Sequence, residues 1–244
     1  MQLKTEIYHI SAGLSKPMTF AFASDLHDGD AAPVMDAIFS HDVDAVLVGG
    51  DVIHDHEHYQ NGVDFLARCA AKCKTFCCIG NHERYYRGDL AALIAASGAV
   101  LLDDAMVEYG GIWIGGLSSG YALQDNEHRR VPLLWRFRQT PPPKSDFLSR
   151  FAAHKGFKLL LCHHPEYWPR YIRPLDVDLT LSGHAHGGQW RIGARGVFAP
   201  GQGLFPRYTS GLYQKRLLVS RGVGNPHRIP RIGNSPMVAI IHFT

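Results

Sequence analysis

The sequence predicts an α/β fold built on two packed sheets, and three observations carry that expectation. Between Thr19 and Gly98, short apolar runs alternate with segments whose apolar residues recur at helical spacing. That alternation is the pattern of parallel strands joined by helical crossovers. Beyond Gly98 the chain changes to short strands separated by Asp103-Asp104 and Gly110-Gly111, which suggests hairpins and a second sheet. The apolar runs also end on polar, chemistry-bearing residues, as expected where a site collects at the carboxyl ends of strands.

Taken in order, Thr19–Ser24 reads as a buried strand ending at Asp25, and Pro33–His41 as a helix with Val34, Ala37 and Ile38 on one face. Asp44–Gly50 is a second buried strand that delivers Asp51. Tyr59–Lys72 has helical spacing through Val63, Leu66, Ala67 and Ala70, and the strand Lys74–Ile79 hands over to Gly80-Asn81-His82. Asp89 is placed to cap a helix over Leu90–Ala96 that Gly98 stops. Val100–Leu102, Met106–Tyr109 and Ile112–Leu117 are the short strands that follow. Residues 118–144, with Gly120, Pro132 and Pro141-Pro142-Pro143, read as a long irregular segment, and Ser145 as the cap of a helix reaching His154. Lys158–Cys162 and Val177–Ser182 are strands ending at His163 and Gly183. From Gln189 short strands alternate with Gly/Pro turns, finishing with Met237–Phe243. There is no internal repeat, low-complexity tract or linker, so residues 1–244 are expected to form one domain.

A chain of 244 residues can bury a large core without disulfides, and 45% hydrophobic with 19% charged residues excludes a disordered polypeptide. Five cysteines, four of them within residues 69–78, are odd in number and clustered. They read as buried hydrophobes in a reducing compartment rather than a zinc site, since Cys77 and Cys78 would face opposite sides of a strand. No basic segment followed by an apolar run opens the chain, and no 18-residue apolar stretch occurs. A cytoplasmic protein without a spanning helix is the expectation. Residues 1–120 carry 7 Lys/Arg against 16 Asp/Glu, whereas residues 121–244 carry 18 against 6. That asymmetry agrees with an anionic substrate, although most of it reads as solvated charge.

Five segments, each ending an apolar run, carry the chemistry: Asp25-Leu-His27, Gly50-Asp51, Gly80-Asn81-His82-Glu83, His163-His164-Pro165 and Gly183-His184-Ala-His186-Gly187. Two carboxylates, one amide and four or five imidazoles are ligands suited to Mn²⁺, Fe or Zn²⁺. They are too many for one tetrahedral ion and fit two adjacent ions sharing a carboxylate, the apparatus for in-line displacement at phosphorus. A two-metal phosphoester hydrolase is therefore predicted.

These motifs, in this order, resemble those of the calcineurin-like metallophosphoesterases from about Phe20 to Phe243. Gly183-His-Ala-His-Gly-Gly-Gln189, Ser210-Gly-Leu-Tyr213 and Val219-Ser-Arg-Gly222 are similar to a bacterial branch, the YkuE/YaeI-like phosphodiesterases. The resemblance implies a four-layer α/β/β/α sandwich. It also implies one ion held by Asp25, His27, Asp51 and His186 and another by Asp51, Asn81, His163 and His184, with Asp51 the bridge. The family pattern selects His163 over His164 as the ligand, which leaves His164 as a supporting donor or an exposed neighbour. Two divalent ions less the Asp25 and Asp51 charges leave about two positive charges to ionise a bridging water and accept phosphoryl oxygens. Mn²⁺ is the first expectation for the ions, with Fe or Zn²⁺ also suited.

His82 is the candidate general acid. His54, with Asp55, His56, Glu57 and His58, forms a second polar cluster that reads as a substrate contact, an extra metal site or the solvated rim of the mouth. Arg221, Arg228 and Arg231 could meet a distal phosphate or simply lie on the surface. Leu133–Arg138 mixes apolar and basic residues, as a peripheral lipid contact or as packing under a loop. The expected activity is hydrolysis of a phosphodiester, pyrophosphate or phosphomonoester by in-line attack of a hydroxide bridging two metals. A nuclease is the alternative, disfavoured because the basic residues are scattered and no stacking motif is visible. A non-catalytic metal-binding scaffold is the more distant one. Gly50-Asp51-Val-Ile-His54-Asp55-His56 departs from the Gly-Asp-x-x-Asp-Arg-Gly of relatives acting on phosphoproteins, which counts against a protein phosphatase.

Overall fold

The computed structural model describes residues 2–120, 140–143, 146–225 and 230–244. Its first sheet contains β1 (Lys4–Ile10), β2 (Met18–Ala23), β3 (Ala45–Val48), β4 (Lys74–Cys78), β5 (Val100–Leu102) and the last strand of the chain, β16 (Met237–Phe243), in the order β1-β16-β2-β3-β4-β5. Strands β2 to β5 are mutually parallel, with Phe20 beside Ala45, Ala45 beside Lys74 and Phe76 beside Val100. The crossovers between them are α1 (Ala32–Phe39), α2 (Gln60–Ala70) and α3 (Leu90–Ala96). Asp89 caps α3 by accepting the Ala92 N–H at 3.0 Å, as its position predicts.

The second sheet holds β6 (Ala105–Tyr109), β7 (Ile112–Leu117), β8 (Phe157–Cys162), β9 (Leu179–Ser182), β14 (Gly211–Tyr213) and β15 (Leu217–Val219), ordered β14-β15-β9-β8-β7-β6. Four two-residue strands, β10 (Arg191–Ile192), β11 (Arg195–Gly196), β12 (Phe198–Ala199) and β13 (Gly203–Leu204), form two hairpins outside it. The helix α4 (Phe147–Ala152) begins after Asp146, and the Ser145 expected to cap it lies outside the described residues.

The layering follows from alternation along the strands. Phe20, Phe22, Leu47 and Phe76 face Ile112, Ile114, Leu159 and Leu181 in a core between the sheets. Ala21, Ala23, Val46 and Val48 point the other way, against Val34 and Ile38 of α1, Phe65 and Leu66 of α2 and Ile94 of α3. Phe147 and Phe151 of α4 cover the outer face of the second sheet with Trp168 and Ile172. The result is the four-layer α/β/β/α arrangement. Cys77 belongs to the helix-side core and Cys78 to the inter-sheet core, and all five cysteines are free.

Two expectations need correction. Val100–Leu102 does not join the second sheet; it pairs with β4 and closes the first, and only β6 and β7 form a hairpin. The strand β1, absent from the sequence reading, lies at the sheet edge with alternate residues exposed and pairs with the distant β16. Among the described residues no helix is long and apolar enough to cross a membrane.

Candidate metal centre

At the carboxyl ends of β2, β3 and β9 the backbone leaves extended geometry. Asp25, His27, Asp51, His184 and His186 have φ of 58°, 51°, 52°, 63° and 45°. Left-handed residues carrying a Cβ cost on the order of 1–3 kcal/mol each and persist only where the surroundings hold them. Here the hydrogen-bond ladder continues past the strand ends. Asp25 N–H donates to Gly50 O at 3.0 Å, His27 N–H to Asp51 O at 2.9 Å, and Gly183 N–H to His163 O at 3.1 Å. An extended chain would splay His184 from His186; their left-handed angles and those of Gly187 (64°) and Gly188 (82°) turn both into the site.

Asp25 and Asp51 are 0% and 1% exposed. Asp51 Oδ2 lies 3.1 Å from His163 Nε2 and 3.8 Å from His27 Nε2, while Oδ1 accepts the His82 N–H at 2.8 Å. Asp25 Oδ1 lies 3.5 Å from His186 Nε2 and accepts the His184 N–H at 2.9 Å; Oδ2 accepts the Ser24 hydroxyl at 2.6 Å. Among the described residues four donor groups have ligand atoms within 4.8 Å of one another; two contain the carboxylates of Asp25 and Asp51, as Asp25/His27/His186 and Asp51/His163/His184, and the others are His27/His54/His82 and His164/Glu166/His184. The first two adjoin, because His27 Nε2 is 3.2 Å from His186 Nε2 and close to Asp51. Asn81 stands between Gly80 and His82, both against Asp51, and its buried Oδ1 has no hydrogen-bond partner among the described residues. An orphaned buried acceptor beside carboxylates and imidazoles fits a cation.

For His27 and His184 the electrostatics agree with a ligand role. Burial holds His27 well below the ordinary imidazole range and lowers His184 to about 3, so both are neutral and ready to ligate. Burial would lower His163 too, but the Asp51 and Asp25 carboxylates outweigh it and raise it to about 10. Burial raises Asp25; for Asp51, burial is overcome by the neighbouring His163 and His82, which hold it well below the usual carboxylate range.

Glycines let the carboxylates sit this close to backbone. A Cβ on Gly80 would stand 2.2 Å from Asp51 Oδ1, and one on Gly183 2.5 Å from Asp25 Oδ2. Gly80→Ala is therefore expected to displace Asp51 and weaken metal affinity by about 10–100-fold, the range found when support of a ligand is lost. Metal titration beside a melting curve checks this, and an unaltered affinity contradicts it.

Two carboxylates with no role assigned from sequence complete the surroundings. Glu83, 1% exposed, accepts the backbone N–H groups of Asp51 (2.9 Å), Val52 (2.7 Å) and Gly80 (2.7 Å), tying the β3 and β4 loops together. Burial raises its pKa, and the Asp51 charge adds to that. The signal was present: a carboxylate beside an apolar strand end must find donors. Glu166 Oε1 lies 3.7 Å from His184 Nε2 and 3.5 Å from His164 Nδ1, and accepts the Thr140 hydroxyl. His184 Nε2 itself has no hydrogen-bond partner among the described residues.

His164 is 1% exposed, with Nε2 2.8 Å from Ser119 Oγ, so the exposed alternative is excluded. His82 has its Nδ1 2.7 Å from the His54 carbonyl and its ring edge-on to His27 at 4.4 Å. His54 is half-buried against His82 and His27, whereas His56, Glu57 and His58 form the solvated rim. Asp55 caps its own loop through the Glu57 and His58 N–H groups. Arg231, 9% exposed, places Nη2 3.3 Å from His186 Nδ1. The Arg221 guanidinium is engaged by Glu6 at 2.7 Å and by the Ser235 carbonyl at 2.8 Å, on the β1 side, in keeping with the second of its two readings. Arg228 and Leu133–Arg138 lie outside the described residues.

Comparison with known proteins places this geometry. The chain is 30% identical to phosphodiesterase YaeI of Escherichia coli (strain K12), over 93% of this chain and 82% of that protein. It is 27% identical to the metallophosphoesterase YkuE of Bacillus subtilis (strain 168), over 74% of this chain and 61% of the relative. A metallophosphoesterase of Helicobacter pylori (strain ATCC 700392 / 26695) is 26% identical over 72% of this chain, which spans about half (46%) of that relative. A solved phosphopantetheinyl hydrolase from Mycobacterium tuberculosis superposes with a TM-score of 0.40 and 17% identity, covering 68% of this chain and 82% of that one. The family model for calcineurin-like phosphoesterases matches residues 18–188, the stretch containing all five ligand-bearing strand ends. The chain accordingly belongs to the calcineurin-like phosphoesterase family, and its class of chemistry is phosphoric ester hydrolysis.

Proposed function

We propose that the protein hydrolyses a phosphodiester or pyrophosphate by in-line attack of water, with two divalent ions held by Asp25, His27, Asp51 and His186 and by Asp51, Asn81, His163 and His184. The observation that carries this reading is the meeting of two complete donor groups at Asp51 Oδ2. When bound, the ions supply the charge that makes water a nucleophile near neutral pH and that receives the phosphoryl oxygens. Mn²⁺ is favoured, and the mixed nitrogen and oxygen donors also suit Fe and Zn²⁺.

The chain's own residues do the rest. Glu83 fixes the loop that presents Asp51, and the Glu166 carboxylate lies beside the His184 ring. The His54 carbonyl accepts from His82 Nδ1, which orients the imidazole so that Nε2 can deliver a proton to the leaving oxygen. Arg231 beside His186 supplies a fixed positive charge for a second phosphate or the scissile one. Residues 1–244 act as one domain in this reading, supported by β16 lying between β1 and β2. The five free thiols support a cytoplasmic site of action.

The test is a hydrolysis series on protein reconstituted with Mn²⁺, Fe²⁺ or Zn²⁺. Bis(p-nitrophenyl) phosphate should show a higher kcat/KM than p-nitrophenyl phosphate, and chelation should abolish both rates. A monoester preference would overturn the diester assignment; metal-independent turnover would overturn the mechanism.

A further inference from the structure

Among the described residues, five of the six exposed large apolar side chains share one stretch of surface: Trp190 (44%), Ile192 (76%), Leu204 (60%), Phe205 (71%) and Ile232 (57%). Their backbones are knit together. Trp190 and Ile232 form a bridge, Arg191 N–H donates to Ile232 O at 2.9 Å, Val197 N–H to Trp190 O at 2.8 Å, and Phe205 N–H to Val197 O at 2.8 Å. Ile192 stands at the turn of the β10–β11 hairpin, where Gly193 has open space on its Cβ side, and Leu204 and Phe205 end the β12–β13 hairpin. Ile192 flanks a turn, Trp190 and Ile232 sit on the bridge, and Leu204 and Phe205 lie at the open end of the second hairpin. Single exposed apolar residues need no explanation, but five on hydrogen-bonded neighbouring segments point to an interaction surface.

The stretch of chain that carries the patch is basic. Residues 179–244 contain eight Lys/Arg and no Asp or Glu. Arg195 pairs with Ile192 across the first hairpin, Arg207 follows Phe205 by two positions, and both are exposed. The patch is also continuous with the metal-centre loop, since Arg191 donates to Gly187 O at 2.9 Å and Asn234 to His186 O at 2.7 Å.

We propose that this face docks on an anionic lipid bilayer. Ile192, Leu204, Phe205 and Ile232 would enter the boundary between headgroups and acyl chains while Arg195 and Arg207 meet lipid phosphates. An apolar patch accompanied by the exposed Arg195 and Arg207, on a stretch of chain without Asp or Glu, suits an anionic bilayer; a peptide or helix partner needs a groove or a free sheet edge. The docking goes beyond the hydrolase reading, because it requires neither bound metal nor turnover.

Sedimentation with vesicles tests it. The protein should pellet with vesicles of phosphatidylglycerol mixed with phosphatidylcholine, pellet far less with phosphatidylcholine alone, and be released by salt. The double variant Ile192→Asp/Phe205→Asp should lower partitioning about tenfold or more, since each side chain loses the transfer energy of a buried apolar group. Arg195→Glu/Arg207→Glu should remove the preference for anionic lipid. Wild-type melting temperatures would show that both variants are folded. Absence of binding to anionic vesicles, or equal binding by Ile192→Asp/Phe205→Asp, would overturn the proposal. So would a concentration-dependent dimer in ultracentrifugation that the same substitutions dissolve without any vesicle binding, which would assign the patch to a second copy of the chain.

Discussion

Asp51→Asn is expected to lose bound metal and to reduce turnover by more than about 100-fold, beyond the range for residues that only support a ligand. The size follows from position. Asp51 Oδ2 lies 3.1 Å from His163 Nε2 and 3.8 Å from His27 Nε2, so its charge serves both donor groups at once. An amide keeps the shape and can still accept the His82 N–H, but it cannot neutralise two cations. Metal analysis after dialysis should show both ions depleted, not one. Retention of two ions with full activity would mean that Asp51 is not the shared ligand.

His82→Ala is expected to lower kcat by roughly 10²- to 10⁴-fold, the contribution of a placed general acid, while metal content stays at the wild-type level. The imidazole is held by the His54 carbonyl and packs against His27 without sharing the Asp25 or His163 contacts, so its removal leaves both donor groups standing. The loss should grow with the basicity of the leaving alcohol and be small for p-nitrophenolate, which departs without a proton. An equal loss for all leaving groups would assign His82 a positioning role, and unchanged turnover of an alkyl diester would remove it from the mechanism.

Much of this was legible in the amino-acid sequence because the informative features are local. Strands β2, β3, β4, β8 and β9 are short, mainly apolar runs, and each delivers a ligand within three residues of its end. The helix α3 and the strand β16 fall on the expected residues because capping and hydrophobic pattern agree there. What the chain did not disclose depends on contacts distant in sequence. The strand β1 is an edge strand whose partner is more than 200 residues away, so no local pattern marks it. Val100–Leu102 could have extended either sheet, and only its pairing with β4 decides. Glu83 and Glu166 were visible as carboxylates, yet their work is to collect N–H groups and imidazoles from other loops. The same holds for Arg221, engaged by Glu6 of the unforeseen strand.

Anomalous X-ray scattering from crystals of the Mn²⁺-loaded protein tests the metal centre most directly. Two peaks are predicted, both in contact with Asp51, one also bound by Asp25, His27 and His186 and the other by Asn81, His163 and His184. A single peak, or two peaks of which Asp51 touches only one, would contradict the shared-carboxylate centre.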